Sequence, residues 1–181
     1  MSFLDRIAAA VTPAASDEDR AEARQKVTEL ATRHEWLAQV VDHHRQIETL
    51  FERALNASAP AERTSAMKSL ATVLTGHSMA EEAVIYPHVA EHDSKTHAAM
   101  AYEEQSMAKV QLAKLETMDP MSKEWREKLE HIQGAVQQHV YQEEDSWFPK
   151  LAGALAPGES RHISERYREE AGRYLGADAL S

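Results

Sequence analysis

A repeated segment constrains the fold of this chain more than any other feature of its sequence. Residues 77–87 read HSMAEEAVIYP, and residues 139–149 read HVYQEEDSWFP. Each copy carries a His-x-x-x-Glu-Glu box and ends in an aromatic residue followed by proline. The repeat predicts two similar helical hairpins related by an approximate twofold axis, which would bring the two boxes face to face.

The rest of the sequence favours helix nearly throughout. Glycine and proline occur only six times each, and no run of alternating β-branched residues competes with the helical pattern. The apolar periodicity therefore predicts an all-α fold with four core helices, and Pro87 and Pro149 stand where two of them should end. These helices span roughly residues 34–56, 60–87, 94–118 and 120–148.

Two further helices are predicted outside this core. One covers residues 17–33 and opens with Ser16 and an acidic first turn, and the other covers residues 159–175 after a Pro-Gly pair. Both are expected to pack on the bundle, with docking of a protein partner as the alternative. The predicted organisation is a helical extension (1–33), a bundle (34–151), and a linker with a helix (152–181). For the first dozen residues the sequence leaves a short helix and disorder open.

Composition excludes several classes of function. The chain of 181 residues has no cysteine, so it holds no disulfide, thiolate zinc site or iron–sulfur cluster. Its formal net charge of −10 argues against a nucleic-acid partner, which would need a basic face. The apolar run near the N-terminus is too short for a signal peptide or a membrane span. We expect a cytoplasmic protein that has no membrane partner.

Both boxes fall on the stripe of their helix that faces the core. Val84 continues the stripe of the first box, and Trp147 continues that of the second. The residues before the boxes on these stripes are Met67, Leu70 and Leu74, and Leu129, Ile132 and Val136. Since a helix places residues i and i+4 side by side, each box offers one imidazole and one carboxylate to the interior. Buried carboxylates need a compensating charge, which metal cations would supply. A buried hydrogen-bond network is the alternative.

The helix predicted over residues 34–56 adds a third His-x-x-x-Glu pair, His44 and Glu48, on its inward side. We prefer His44 as a metal ligand. His43 lies on a neighbouring stripe, where it would support a ligand or face solvent. Glu48 is a candidate ligand, a hydrogen-bond acceptor behind the ligands, or a surface acid.

Taken together, the His43-His44 pair and the two boxes resemble the hemerythrin-like, His-His-Glu cation-binding family over about residues 34–151. The resemblance implies an up-down antiparallel four-helix bundle and a non-haem di-iron centre, bridged by carboxylates and an oxo or hydroxo group. Glu81 and Glu143 would be the bridging carboxylates, with Glu144 as an alternative bridge. By matching positions, the implied iron ligands are His44, His77, Glu81, His139 and Glu143.

The chain departs from the family pattern on its third core helix, where the family has histidine. Gln105 stands at the matching position, and Ala101 stands one turn earlier. By helical angle, both Glu104 and Gln105 can reach inward, and Glu104 is the better iron ligand because its carboxylate is anionic and hard. Tyr102 lies further round the helix and is expected to pack as an aromatic side chain. The third-helix ligand therefore stays open, with Glu104 preferred.

Carboxylates in place of neutral imidazoles would stabilise ferric iron, which favours oxidation or sensing over reversible O₂ carriage. Our first hypothesis is a di-iron protein that reacts with or senses O₂, peroxide or nitric oxide in a stress response or in iron homeostasis. A di-iron oxidase or peroxidase-type enzyme is the second hypothesis. The third is a regulatory module in which the metal or redox state changes how the outer helices meet a partner.

His97 falls near the seam of the third core helix but two turns from the metal layer. Five further histidines are expected to lie at helix ends or at the surface without a metal. They are His34, His88, His92, His131 and His162. The methionines at 67, 79, 100 and 107 are expected to fill the core and to help screen the centre from solvent.

Overall fold

The structure, a computed structural model, describes residues 14–175. This part of the chain is helical and contains no strand, which confirms the predicted all-α fold. The open question about the first dozen residues lies outside the described range. The helices are α1 (Asp17–Ala31), α2 (Glu35–Asn56), α3 (Pro60–Ala80), α4 (Tyr86–His92), α5 (Lys95–Leu115), α6 (Lys123–Gln142), α7 (Phe148–Ala154) and α8 (Pro157–Leu175).

Local sequence explains where most of these helices begin. Ser16 and Asp19 form a reciprocal capping box at the start of α1. The side chains of Ser94 and Ser122 accept a backbone N–H at the starts of α5 and α6. Pro60 opens α3, where its missing N–H leaves no hydrogen bond unmade.

The prediction that helices end at Pro87 and Pro149 is wrong. A π turn, Glu81–Ile85, joins α3 to α4, and a second, Glu143–Trp147, joins α6 to α7, so the two long helices run on to His92 and Ala154. Each proline lies in the first turn of the helical segment that follows its π turn.

The first π turn shows how the proline is accommodated. The N–H of Tyr86 donates to the carbonyl of Glu81, five residues back, and Pro87 has no N–H to offer to the carbonyl of Glu82. The hydroxyl of Tyr102 donates to that carbonyl instead, at 2.6 Å. The wider turn thus lets a proline stand inside a long helix, and each π turn begins at the glutamate of a repeated box.

The two outer helices pack onto the bundle. The C-terminal helix α8 lies against α2, α3 and the first π turn, while α1 lies against α2 and the second π turn. Both insert side chains into the core, with Val27 from α1 and Tyr167 from α8 fully buried. No helix within residues 14–175 is long and apolar enough to cross a membrane.

The apolar core consists of two clusters that meet at one level of the bundle. The first contains Trp36, Val41, Ala101 and Phe148, and the second contains Ile47, Phe51, Leu112 and Trp125. Along α2, membership changes between Val41 and Ile47, and the other core helices change at the level of the repeated boxes. The residues between the clusters are polar.

Candidate metal centre

A buried polar layer fills the level between the two apolar clusters. Each of its side chains is at most 6% exposed. They are His43, His44, His77, Glu81, Gln105, His139, Glu143 and Glu144. Because carboxylates in an apolar interior are costly without a counter-charge, this layer calls for positive charge from imidazolium groups or a bound cation.

Four of these side chains form one compact group of potential metal ligands. One ligand atom of each lies within 4.8 Å of the others, and the four residues are His44, His77, Glu81 and Glu143. The Nε2 atom of His44 is 3.3 Å from Glu143 Oε2 and 4.0 Å from Glu81 Oε1. His77 Nε2 is 3.1 Å from Glu81 Oε2. Two imidazoles and two carboxylates thus converge from α2, α3 and the two π turns.

Unpaired atoms in this group fit a metal cation. Three atoms of this group are buried and have no hydrogen-bond partner within residues 14–175, namely His44 Nε2, Glu81 Oε1 and Glu143 Oε2. His44 Nε2 lies within 4.0 Å of each of the other two atoms, so one cation could contact all three. A cation bound among them would satisfy three atoms that the described part of the protein leaves unpaired.

His139 lies on the other side of Glu143. Its Nε2 atom is 3.3 Å from Glu143 Oε1, so the two oxygens of this carboxylate face two different imidazoles. The hydroxyl of Tyr86 lies beside this pair, 2.9 Å from Glu143 Oε1 and 3.2 Å from His139 Nε2, and it also lies 3.0 Å from Glu81 Oε2. A second group of polar atoms therefore adjoins the first, and both carboxylates take part in the two groups.

The comparisons with known proteins agree with this site. The profile described as Hemerythrin HHE cation binding domain matches residues 35–151. The chain belongs to the hemerythrin family. A DNA nickase of Nostoc sp. (strain PCC 7120) is 24% identical over 125 residues, which make up 69% of this chain and 36% of the nickase. The chain thus spans about a third of that relative's length, and no solved structure matches it significantly.

Family membership and the buried His/Glu cluster together make the chain a cation-binding hemerythrin domain. The resemblance to this family is confirmed. The cluster lies within the matched residues, with His44 on α2 and the other three residues in the repeated boxes.

The ring nitrogens that point away from the cluster, here called the outer nitrogens, are the Nδ1 atoms. That of His44 is 2.7 Å from Glu144 Oε1, and that of His139 is 2.8 Å from Glu104 Oε2. That of His77 is 3.1 Å from the Tyr167 hydroxyl. A hydrogen bond at Nδ1 fixes the tautomer and leaves the Nε2 lone pair for a metal.

Tyr167 connects two histidines of the buried polar layer. Its hydroxyl lies 2.9 Å from His43 Nδ1 as well as 3.1 Å from His77 Nδ1. The assignment that leaves His77 Nε2 free to bind a metal has His77 Nδ1–H donating to the phenol oxygen and the phenol O–H donating to His43. His43 is thus buried behind the ligand group, and the surface position considered for it is wrong.

The third core helix, α5, meets the layer through Gln105. Its side-chain N–H donates to Glu81 Oε2 at 2.5 Å, so an amide stands where the family has an imidazole. Glu104, the preferred ligand on this helix, instead contacts the outer nitrogen of His139 and is not brought to the carboxylates. Tyr102 packs edge to face on Tyr86, as expected for a packing aromatic.

Two other candidate carboxylates lie away from the ligand group. Glu48 is more than a third exposed and pairs with Arg24 at 2.8 Å, because its position one turn beyond His44 carries it past the layer to α1. Glu144, the alternative bridge, holds His44 with one oxygen and Arg24 with the other, at 2.6 Å. Neither offers an oxygen to both groups of polar atoms, as Glu81 and Glu143 do.

The acid–base properties of the layer reflect its need for positive charge. Burial alone would lower the pKa of His44, but its contacts with the carboxylates of Glu143 and Glu144 raise it to about 9. The pKa of His139 is likewise raised, against burial, by Glu143 and Glu104. Burial, together with the imidazoles of His77 and His44, lowers the pKa of His43 to about 3. A cation must therefore compete with protons for the imidazoles of His44 and His139.

Burial also keeps the two tyrosines of the layer protonated. It raises the pKa of Tyr86, and the charges of Glu143 and Glu81 add to this effect. The same three causes raise the pKa of Tyr167. Both phenols thus remain hydrogen-bond donors next to the carboxylates.

Sequence reasoning missed three residues of this site: Tyr86, Tyr167 and Arg24. A signal for Tyr86 was present, since it fills the aromatic position before proline in the first box, where the second box has Phe148. No short-range signal marks the other two, because Tyr167 meets His77 across 90 residues and Arg24 meets Glu144 across 120.

Proposed function

We propose that this hemerythrin domain holds two irons and that it reacts with or senses O₂, peroxide or nitric oxide, in a stress response or in iron homeostasis. The proposed ligands are His44, His77, Glu81, His139 and Glu143. Bound iron would supply the redox chemistry. The observation that carries the proposal is that Glu81 and Glu143 each take part in two adjoining groups of polar atoms.

The residues behind the proposed ligands favour reaction or sensing over reversible carriage. Glu144 and Glu104 accept hydrogen bonds from the outer nitrogens of His44 and His139. A carboxylate in this position makes an imidazole a stronger electron donor, which stabilises ferric iron. Gln105, in place of an imidazole, adds no further nitrogen donor on α5. The site therefore favours oxidation of its metal by a bound small molecule.

An apolar cavity of about 70 Å³ adjoins the site between α3, α5 and α6. Its walls include Leu74, Ile132 and Val136, and its polar lining includes His77, Gln105 and His139. A cavity needs a volume of roughly 10–15 Å³ to hold one water molecule. This cavity is several times larger, so it has room for O₂, nitric oxide or hydrogen peroxide beside the imidazoles. Its apolar walls favour small uncharged molecules.

The test is a stopped-flow absorption measurement on iron-loaded, reduced protein mixed without air with O₂, hydrogen peroxide or nitric oxide. We expect a change in visible absorption with at least one of the three in the wild type, and none in Glu81→Ala. Glu82→Gln is the matched control, because Glu82 is the next residue but pairs with Lys109 outside the layer. Failure of the wild type to retain iron, or an unchanged spectrum with all three, would contradict the proposal.

The cavity also favours the enzymatic alternative, a di-iron oxidase or peroxidase. Its walls can hold a small substrate next to the layer, so repeated turnover of hydrogen peroxide would distinguish an enzyme from a sensor. A single stoichiometric reaction followed by no turnover would set this alternative aside.

A regulatory module is favoured by one contact. Tyr167 links α8, which lies outside the bundle proper, to His43 and His77. A change at the metal layer would therefore act on α8 directly. Hydrogen exchange along α8 should differ between oxidised and reduced iron-loaded protein, and equal exchange in the two states would remove this alternative.

A nucleic-acid activity does not follow from the similarity to the nickase. The similarity reaches only 36% of that protein. The formal net charge of −10 on this chain opposes binding to phosphate backbones.

A further inference from the structure

A second cluster of metal-binding side chains lies on α4, outside the buried layer. One ligand atom each of His88, Glu91 and His92 lies within 4.8 Å of the others. The two histidines are four residues apart on one helix, and their rings stack with centroids 6.1 Å apart. A pair of imidazoles at this spacing shares one face of the helix and can hold one ion.

The start of α8 brings a further carboxylate to this cluster. Glu159 Oε1 lies 3.9 Å from His92 Nε2. The other oxygen, Oε2, accepts the backbone N–H of Ala156 at 2.8 Å, which fixes the orientation of the carboxylate. Two helices therefore contribute to the cluster.

Two ring nitrogens of the cluster are buried and have no hydrogen-bond partner in the described part of the chain. They are His88 Nδ1 and His92 Nε2. Burial, and then the neighbouring imidazole of His92, lower the pKa of His88, so that this ring is neutral and has a lone pair to offer. The expectation that these two are ordinary surface histidines accounts for neither atom, because a surface imidazole would meet solvent with both nitrogens.

We propose that His88, Glu91, His92 and Glu159 form a second metal site, for a divalent ion of the Zn²⁺ class. Two imidazoles and carboxylates are the usual donors for zinc in a site without cysteine. Donors of a tetrahedral zinc ion lie roughly 3.3 Å apart, since each bond is about 2.0–2.1 Å. The 3.9 Å between His92 and Glu159 needs only a small side-chain movement to close.

A zinc ion here would tie the end of the first long helix to the start of α8. Helix α8 carries Tyr167, which contacts His43 and His77 in the buried layer. Binding at α4 should therefore stabilise the packing of α8, and zinc should raise the melting temperature of the protein. The site shares no residue with the buried layer.

The test is a calorimetric titration of the iron-loaded protein with Zn²⁺. The double variant His88→Ala/His92→Ala should bind one equivalent of Zn²⁺ less than the wild type. His131→Ala, which removes an exposed histidine of α6, should bind as the wild type does. Equal zinc stoichiometry and affinity in the wild type and the double variant would overturn the proposal. Because the result is a difference between variants, it can be read even if the buried layer fails to hold iron.

Two further variants keep the proposal testable if the double variant folds poorly. His92→Gln preserves most of the side-chain volume and should lose the zinc-dependent rise in melting temperature. Glu159→Gln keeps an oxygen for the N–H of Ala156 but should weaken Zn²⁺ binding by about tenfold or more, whereas Glu165→Gln, on the exposed side of α8, should not. If Glu159→Gln and Glu165→Gln bind zinc equally, α8 takes no part in the site.

Discussion

The two copies of the repeated box place the same residue types in the same helical setting, but the surrounding protein supports them differently. In the first copy, the outer nitrogen of His77 meets the neutral hydroxyl of Tyr167. In the second copy, the outer nitrogen of His139 meets the carboxylate of Glu104. A carboxylate makes an imidazole a stronger donor than a phenol does, so the two boxes repeat in local structure but give their histidines unequal support.

The aromatic residues that end the two boxes also differ, since one is polar and the other is not. Tyr86 directs its hydroxyl at Glu81, Glu143 and His139, whereas Phe148 stacks its ring on His44 with centroids 6.4 Å apart. One copy thus adds a hydrogen-bond donor to the layer, and the other adds an apolar wall. Two metals bound here would have unequal surroundings.

The largest effect is expected from removing either box carboxylate. Glu81→Ala and Glu143→Ala each delete an oxygen donor that faces two groups, so iron affinity should fall by about 100-fold or more in both variants. Equilibrium dialysis of ferrous iron measures this loss, with Glu82→Gln as the control. If one variant keeps full iron stoichiometry, the two copies do not share their metals.

A smaller effect is expected from changing the residue that contacts the outer nitrogen of His139 or of His77. Glu104→Gln removes the charge behind His139 and should weaken iron binding by about 10-fold, whereas Tyr167→Phe, behind His77, should weaken it less. The same dialysis compares the two variants, with Glu103→Gln as an exposed control on α5. Equal losses in both would show that the charge of Glu104 makes no difference to the centre.

The difference between Tyr86 and Phe148 can be tested on stability. Tyr86→Phe makes the two copies alike and leaves Glu143 without one hydrogen-bond donor, which should lower the free energy of unfolding by about 1 kcal/mol. Urea denaturation of the metal-free protein measures the change. Unchanged stability would mean that the hydroxyl gains nothing from its three contacts in the absence of metal.

The smallest effect is expected for Glu48→Gln, at the third His-x-x-x-Glu pair. Glu48 contacts Arg24 at the edge of the bundle, so iron stoichiometry should stay as in the wild type. The cost in stability should be about 0–1 kcal/mol, as for exposed ion pairs. Loss of one iron from this variant would place Glu48 among the ligands instead.

Periodicity alone predicted much of the fold and part of the site. The seam of apolar residues placed His77, Glu81, His139 and Glu143 in the core, and the structure buries all four. The sequence does not predict the continuation past Pro87, because the carbonyl of Glu82, which the proline cannot serve, is satisfied by a distant residue, the hydroxyl of Tyr102.

Helical angles also did not decide which residue of the third core helix enters the buried layer. Gln105 and Glu104 flank the seam of α5, and chemistry favoured the carboxylate as the group that enters the layer. The structure sends Gln105 to Glu81 and Glu104 to His139, since the outer nitrogen of a buried imidazole attracts a carboxylate strongly. Such a choice depends on the position of a second helix, which one sequence does not specify.

Anomalous diffraction at the iron edge from crystals of the iron-loaded protein tests the central claim most directly. We expect two iron peaks between Glu81 and Glu143, one beside His44 and His77 and the other beside His139. A single peak, or peaks away from these carboxylates, would contradict a two-iron centre built on the repeated boxes.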